Sequence, residues 1–303
     1  MSAPGHRRTR STSAGARHAR RLVAVLALSA CILVVEIFGA IASNSLALVA
    51  DAGHMLTDVA GVAMALLAIW FAGRPATTDR TFGYLRLEVL AAGANATLLF
   101  GVAAFVLVEA WRRLLEPPQV ASGLMLAVAV FGLVANGASL VLLGSAQHES
   151  MNVRGAYLEV MGDLAGSAAV LVAAAVIALT GWTGADAVAS VLIGLLILPR
   201  TLSLLLDAAN VLLEATPKGI DLGEVRQHIL GARGIRDVHD LHAWTITSGL
   251  NVVSAHVVIG PEVQTGDVLD ELCRCLSGDF DIEHSTFQLE REDRSSLEGR
   301  THA

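Results

Sequence analysis

Long apolar runs dominate the first two thirds of the chain and disappear after it. A bilayer core of about 30 Å takes about 20 predominantly apolar residues per helix. Six stretches meet that length: residues 22–43, 46–72, 88–111, 120–144, 157–180 and 186–206. The fourth, Val120 to Gly144, carries neither charge nor histidine. Pro199-Arg200 interrupts the sixth, where the pattern predicts a helix continuing past the membrane surface to Glu214. Breakers mark the connections: Asn44-Ser45, Gly73-Arg74-Pro75, Pro117-Pro118 and Gly181-Trp182-Thr183-Gly184. From residue 216 the pattern changes to that of a small soluble domain. Asp221–Gly231 has Leu222, Val225 and Ile229 at helical spacing, and Val268–Leu276 predicts a second helix. Ile235–Ile246, Leu250–Ile259 and Ile282–Glu290 alternate as strands do, the first two separated by Thr247-Ser248-Gly249. The fold class is an α-helical membrane protein with six transmembrane helices, plus a small C-terminal α+β domain of order αββαβ. Four segments follow: a basic tail (1–21), a transport domain (22–215), a C-terminal domain (216–292) and a polar tail (293–303) expected to be disordered.

Composition agrees. Of 303 residues, 54% are hydrophobic and 16% charged, against about 25% charged in an ordinary soluble domain. The net charge of −7 is uneven: residues 1–21 carry +6, residues 22–215 carry −6 and the remainder −7. Basic residues collect where cytoplasmic loops belong. With the N-terminus inside, that side receives the six tail arginines, Arg74, Arg80, Arg86, Arg154 and Arg200; the other receives Arg112 and Arg113. Six spans return the C-terminus to the cytoplasm. Arg20-Arg21, the apolar run and Ala40-Ile41-Ala42 imitate a cleavable signal peptide. The long basic segment and Glu36 inside the run favour a retained first span. No basic stripe accompanies a foldable surface, which excludes nucleic acid as a partner. Cys31, Cys273 and Cys275 form no disulfide framework and are read as incidental and reduced.

Ionisable residues inside spans are costly, about 2.5–3.5 kcal/mol each on the insertion scale, and mark candidate ion paths. The spans hold Glu36, Asp51, His54, Asp58, Glu109, Glu159, Asp163 and Asp186. A lone carboxylate such as Glu36 or Asp186 reads as well as a satisfied helix-packing residue. Two sets differ. His54 and Asp58 stand at i and i+4, as do Glu159 and Asp163, so each pair shares a helix face. Facing each other, they supply one imidazole and three carboxylates, enough for a four-coordinate divalent-metal site. Gly53, Gly61, Gly162 and Gly166 would let the helices approach.

These residues carry a resemblance. Ser45-Leu46-Ala47-Leu48 running into Asp51-Ala52-Gly53-His54-Met55-Leu56-Thr57-Asp58 resembles the second-span signature of the cation diffusion facilitators, divalent-metal/proton antiporters, particularly their bacterial zinc-exporter branch. Thr81-Phe82-Gly83-Tyr84-Leu85-Arg86-Leu87-Glu88, Gly155-Ala156-Tyr157-Leu158 with Gly162-Asp163, and His239-Asp240-Leu241-His242-Ala243-Trp244 are similar too. The likeness covers about residues 22–290 and implies six spans, cytoplasmic termini and a ferredoxin-like C-terminal domain. It also implies transport ligands at His54, Asp58, Glu159 and Asp163. Zinc exporters usually place His where this chain has Glu159, which relaxes the zinc preference toward harder ions such as manganese or iron. A second site of some members, near the connection between spans two and three, finds Arg80 and Tyr84 here and is expected to be absent. The His-rich loop of some relatives is reduced to His148. Arg86 and Glu214 match a charge pair that joins subunits in some members. Of five histidines in the C-terminal domain (His228, His239, His242, His256, His284), those matching the family's metal ligands between dimerised tails are His239, His256 and His284, with Asp240 and His242 weaker candidates.

The function implied is secondary-active efflux of a divalent cation, zinc first and manganese, iron, cobalt or cadmium after it, in exchange for protons by a homodimer in the cell membrane. No prosthetic group and no enzyme activity are expected: a membrane metallohydrolase needs an open coordination position and a base, and His-Glu-x-x-His is absent. A membrane-bound metal sensor and a passive cation channel are the rivals. The first lacks an output domain, and the second favours several weak sites.

Overall fold

The computed structural model describes residues 19–144 and 151–291. Expectations for the first 18 residues, His148 and residues 293–303 lie outside the described residues. Among these, six helices are long and apolar enough to cross a membrane. They are α1 (Ala19–Ser43), α2 (Leu46–Ala72), α3 (Leu87–Leu115), α4 (Ser122–Gly144), α5 (Met151–Thr180) and α6 (Gly184–Leu212). All six spans read from hydropathy are present. As expected, α6 runs on through Pro199, and it ends at Leu212. Proline removes one donor and leaves one carbonyl without its i+4 partner, and beside it the Thr201 hydroxyl donates to Ile197 O.

After Leu212 follow α7 (Leu222–Gly231), β1 (Ile235–Thr247), β2 (Leu250–Ile259), α8 (Thr265–Asp279) and β3 (His284–Glu290), the αββαβ order expected. Asp221 caps α7 by accepting from the amides of Gly223 and Glu224, as a short acceptor at that position does. β1 and β2 form an antiparallel hairpin, and β3 returns through α8 to lie parallel to β2, giving sheet order β1-β2-β3. Val225, Ile229, Val253, Val257, Leu272 and Leu276 form its core.

Two compact units divide the chain. One holds the chain up to Gly61 together with Asn95–Leu202; the other holds Val62–Ala94 and the chain from Ser203. The first is packed by small residues, Ala47, Ala50, Ala129, Ala173, Ala174, Ala185 and Ala189 among them, because dispersion between close backbones holds helices together in lipid.

Candidate metal centres

Within the first unit, helical spacing brings His54 and Asp58 to one face of α2, and Asp163 of α5 meets them. His54 Nε2 stands 3.5 Å from Asp58 Oδ2 and 4.0 Å from Asp163 Oδ1. One donor atom from each of the three lies within 4.8 Å of the other two. Glu159, one turn from Asp163, shares a side-chain hydrogen bond with Asp58. It therefore borders the trio without joining it at that separation. His54 Nδ1 and Asp163 Oδ1 are buried and have no hydrogen-bond partner. A buried polar atom without a partner costs about 1–3 kcal/mol. With its anionic donors, the trio is a candidate cation site.

Close backbone approach makes the cluster. A Cβ on Gly53 would stand 2.7 Å from Val102, on Gly61 2.6 Å from Asn95, and on Gly166 2.7 Å from Asp51 Oδ1. Gly162 departs from expectation, since a Cβ there meets nothing within 4 Å. The other intramembrane carboxylates separate into two kinds. Asp186, at the start of α6, accepts from Ser45 Oγ (2.5 Å), Leu46 N (2.7 Å) and Ala47 N (3.2 Å). Arg113 Nη1 lies 3.8 Å from it. It is a satisfied packing residue that caps the helix carrying His54. Glu36 instead shares a hydrogen bond with Asp51 and leaves Oε2 buried without a partner.

The second unit carries the other cluster. The hairpin register sets His239 opposite His256, and their rings stand 5.2 Å apart. Glu290 completes the group: His256 Nδ1 lies 3.3 Å from Glu290 Oε1, and His239 Nε2 lies 3.7 Å from Glu290 Oε2. One donor atom from each falls within 4.8 Å of the others. Glu290 is 2% exposed. A bulge between His239 and His242, with Asp240 at φ 48°, turns the strand here. Asp240 Oδ2 stands 3.9 Å from His256 Nδ1. His242 lines an adjacent hollow of about 430 Å³ with Asp240, His256 and Gln288.

His284 lies elsewhere. It pairs with Val252, four residues along β2 from His256, about 13 Å at strand rise, and its ring packs edge-on against Phe82 at 5.7 Å. Sequence reasoning missed Glu290 although a signal was present: Glu290 shares the face of β3 with Gln288, the residue opposite His256. It also missed Glu88, which accepts hydrogen bonds from Thr247 and, at 2.9 Å, from Ser248 at the β1–β2 turn. Arg86 Nη2 and Glu214 Oε1 pair within the chain at 2.8 Å, both well exposed, where such pairs contribute about 0–1 kcal/mol. Arg80 lies over the Tyr84 ring at 4.5 Å. Cys273 and Cys275 are both free. Burial, aided by the Asp279 carboxylate, pushes the Cys275 thiol above its ordinary range, which keeps it unreactive.

The cation efflux transmembrane domain matches residues 22–213, and the cytoplasmic domain of cation efflux proteins matches residues 217–292. The chain belongs to the cation efflux family. Among its relatives, the metal cation efflux system protein CzcD of Cupriavidus metallidurans is 49% identical over 89% of this chain and 86% of its own. The zinc transporter ZitB of Escherichia coli is 41% identical over 95% and 92%. A cadmium, cobalt and zinc/H(+)-K(+) antiporter of Bacillus subtilis is 37% identical over 86% and 85%. The metal-bound C-terminal domain of a CzcD transporter is 43% identical over 23% of this chain and 99% of its own, with a TM-score of 0.23. Membership of the cation efflux family makes this chain an integral membrane transporter, as the motif resemblance implied.

Proposed function

We propose that this cation efflux protein exports divalent metal ions from the cytoplasm in exchange for protons, working as a homodimer in the cell membrane with both termini inside. The observation that carries the reading is the convergence of His54, Asp58 and Asp163 between apolar helices, with His54 Nδ1 and Asp163 Oδ1 left unpartnered. Glu159, held on Asp58, is the fourth ligand, reaching the ion by a change of rotamer. Metal ligands must be deprotonated to bind. Entry of protons from the outer face therefore weakens the site and releases the ion, and rocking of the helices alternates access around it.

One nitrogen and three oxygens make the donor set harder than a two-histidine site. Zinc is the first candidate because an imidazole is present, with manganese, iron, cobalt and cadmium as further substrates. His239, His256 and Glu290 form a second binding site that reads cytoplasmic metal. Exposed His284 is left for a contact between two copies of the domain. The test is zinc flux into proteoliposomes under an imposed pH gradient. The intact chain moves zinc and His54→Ala does not. Undiminished flux in that variant refutes the site, and flux indifferent to the gradient indicates a channel.

A further inference from the structure

The connection between α2 and α3, residues 73–86, carries Arg74, Arg80 and Arg86 against a single carboxylate, Asp79. It joins the ends of two spanning helices, Ala72 and Leu87, and so lies at the membrane surface. Arg86 is taken by Glu214 at 2.8 Å. Arg74 and Arg80 form no ion pair among the described residues; aromatic rings hold them instead. The Arg74 guanidinium lies 4.4 Å from the Trp70 ring centroid and 4.6 Å from that of Phe71. Phe71 meets Tyr84 at 5.7 Å, and the Arg80 guanidinium lies 4.5 Å from the Tyr84 ring. Trp70, Arg74, Phe71, Tyr84 and Arg80 thus form one ladder of rings and cations. The backbone fixes its far end. Thr77 and Arg80 exchange amide-to-carbonyl hydrogen bonds of 3.1 Å, and Gly83, at φ 61°, donates to Arg80 O at 2.9 Å.

A guanidinium stacked on a ring face keeps its N–H donors at its edge, free for an anion. Trp70 is exposed, an amphipathic ring of the kind that anchors at headgroup depth. Beside Arg80 a hollow of about 450 Å³ is lined by Phe82, Leu87 and Leu90 as well as Asp79, and Phe82 and Leu90 are exposed. Cations without carboxylate partners, next to exposed apolar side chains at the ends of two spanning helices, match a ligand with a phosphate and a hydrocarbon end. We propose that this connection is a binding site for anionic phospholipid, with Arg74 and Arg80 facing headgroup phosphate and Phe82 and Leu90 meeting the glycerol and acyl end. A free phosphate would use the arginines and gain nothing from the apolar rim. The inference needs the two spans and not the identity of the exported ion. The competing role for both arginines is to fix topology during insertion, and it predicts no preference among lipids.

The test titrates full-length proteins in detergent with dioleoyl phosphatidylglycerol or dioleoyl phosphatidylcholine and counts bound lipid by native mass spectrometry. Wild type prefers the anionic lipid by about 25-fold, about fivefold for each basic side chain at an anionic surface. R74Q and R80Q each cut the preference about fivefold, and R74Q/R80Q abolishes it. W70L/Y84L keeps both charges, and with them the topology signal, yet cuts the preference about fivefold, because the contacts of Arg74 with Trp70 and of Arg80 with Tyr84 are gone. R233Q/R236Q, an equal loss of charge from exposed arginines of the C-terminal domain, leaves the preference at its wild-type value. Soluble glycerol 3-phosphate does not displace the lipid. An unchanged preference in R74Q/R80Q overturns the proposal, as does an equal loss in R233Q/R236Q. Displacement by glycerol 3-phosphate overturns it too, because the ligand is then a free anion. Should R74Q/R80Q fail to insert, W70L/Y84L decides, and a wild-type preference there overturns the proposal.

Discussion

Asp186→Ala tests whether the start of α2 is held by one carboxylate. In the intact chain Asp186 accepts from Ser45 Oγ and from the amides of Leu46 and Ala47. All four residues are at most 1% exposed, so water cannot replace the lost acceptor. Each stranded donor costs about 1–3 kcal/mol. Two amides and a hydroxyl therefore put the loss at about 3–9 kcal/mol, beyond the roughly 1 kcal/mol typical of an exposed N-cap. Arg113 loses a charge partner at 3.8 Å as well, though it keeps Asn44 O at 2.7 Å and Glu109. Asp186→Asn retains one acceptor oxygen and is expected to lose about half as much. The assay is the fraction of purified protein surviving a heat step as a monodisperse species, followed by zinc flux. Because His54 lies two turns along the same helix, flux falls with the cap in both variants, in the order wild type, Asn, Ala. An alanine variant as heat-resistant as wild type would refute the reasoning.

Glu290→Gln removes the anionic member of the second cluster. It is expected to lower bound zinc by one ion per chain, measured by equilibrium dialysis of the full-length protein, while the His54 site still fills; an unchanged stoichiometry would reassign Glu290 to packing. Gly166→Ala places a Cβ against Asp51 Oδ1 at 2.7 Å, whereas Gly162→Ala meets nothing within 4 Å. The first is expected to destabilise by about 1–3 kcal/mol, as overpacking does, and to cut zinc flux. The second leaves both unchanged, and equal effects on heat resistance would remove close helix approach as the reason for the glycine.

The spans and the transport pair were legible because both depend on local order. A run of apolar residues long enough to cross a bilayer declares a helix before any neighbour is known. The i,i+4 spacing places His54 beside Asp58 on that helix regardless of packing. The meeting with Asp163 is a contact between helices distant in sequence, and the charge cost inside lipid and the family resemblance pointed to it. His284 and Glu290 show where local reasoning stops. Alternation put both on one face of β3, but which of them reaches His239 and His256 depends on the register of β3 against β2. That register pairs Val252 with His284 and Val258 with Glu290, and no short pattern encodes it. Within one chain the strand pairing brings Glu290, rather than His284, to the two histidines.

Asp186 and Asp163 show what separates a structural carboxylate from a candidate ligand inside a membrane. Both are buried, 1% and 6% exposed, and both sit in apolar helices, so hydropathy treats them alike. Their donors differ. Asp186 receives three hydrogen bonds and a guanidinium, which satisfy its charge whatever else the protein does. Asp163 Oδ1 receives none, and neither does Glu36 Oε2. An ionised carboxylate in hydrocarbon without donors is too costly to persist, so it must take up a cation or a proton. The proposed exchange needs this deficit: a carboxylate already saturated by the protein has no reason to bind an ion, whereas one left short of donors is satisfied by either a metal ion or a proton.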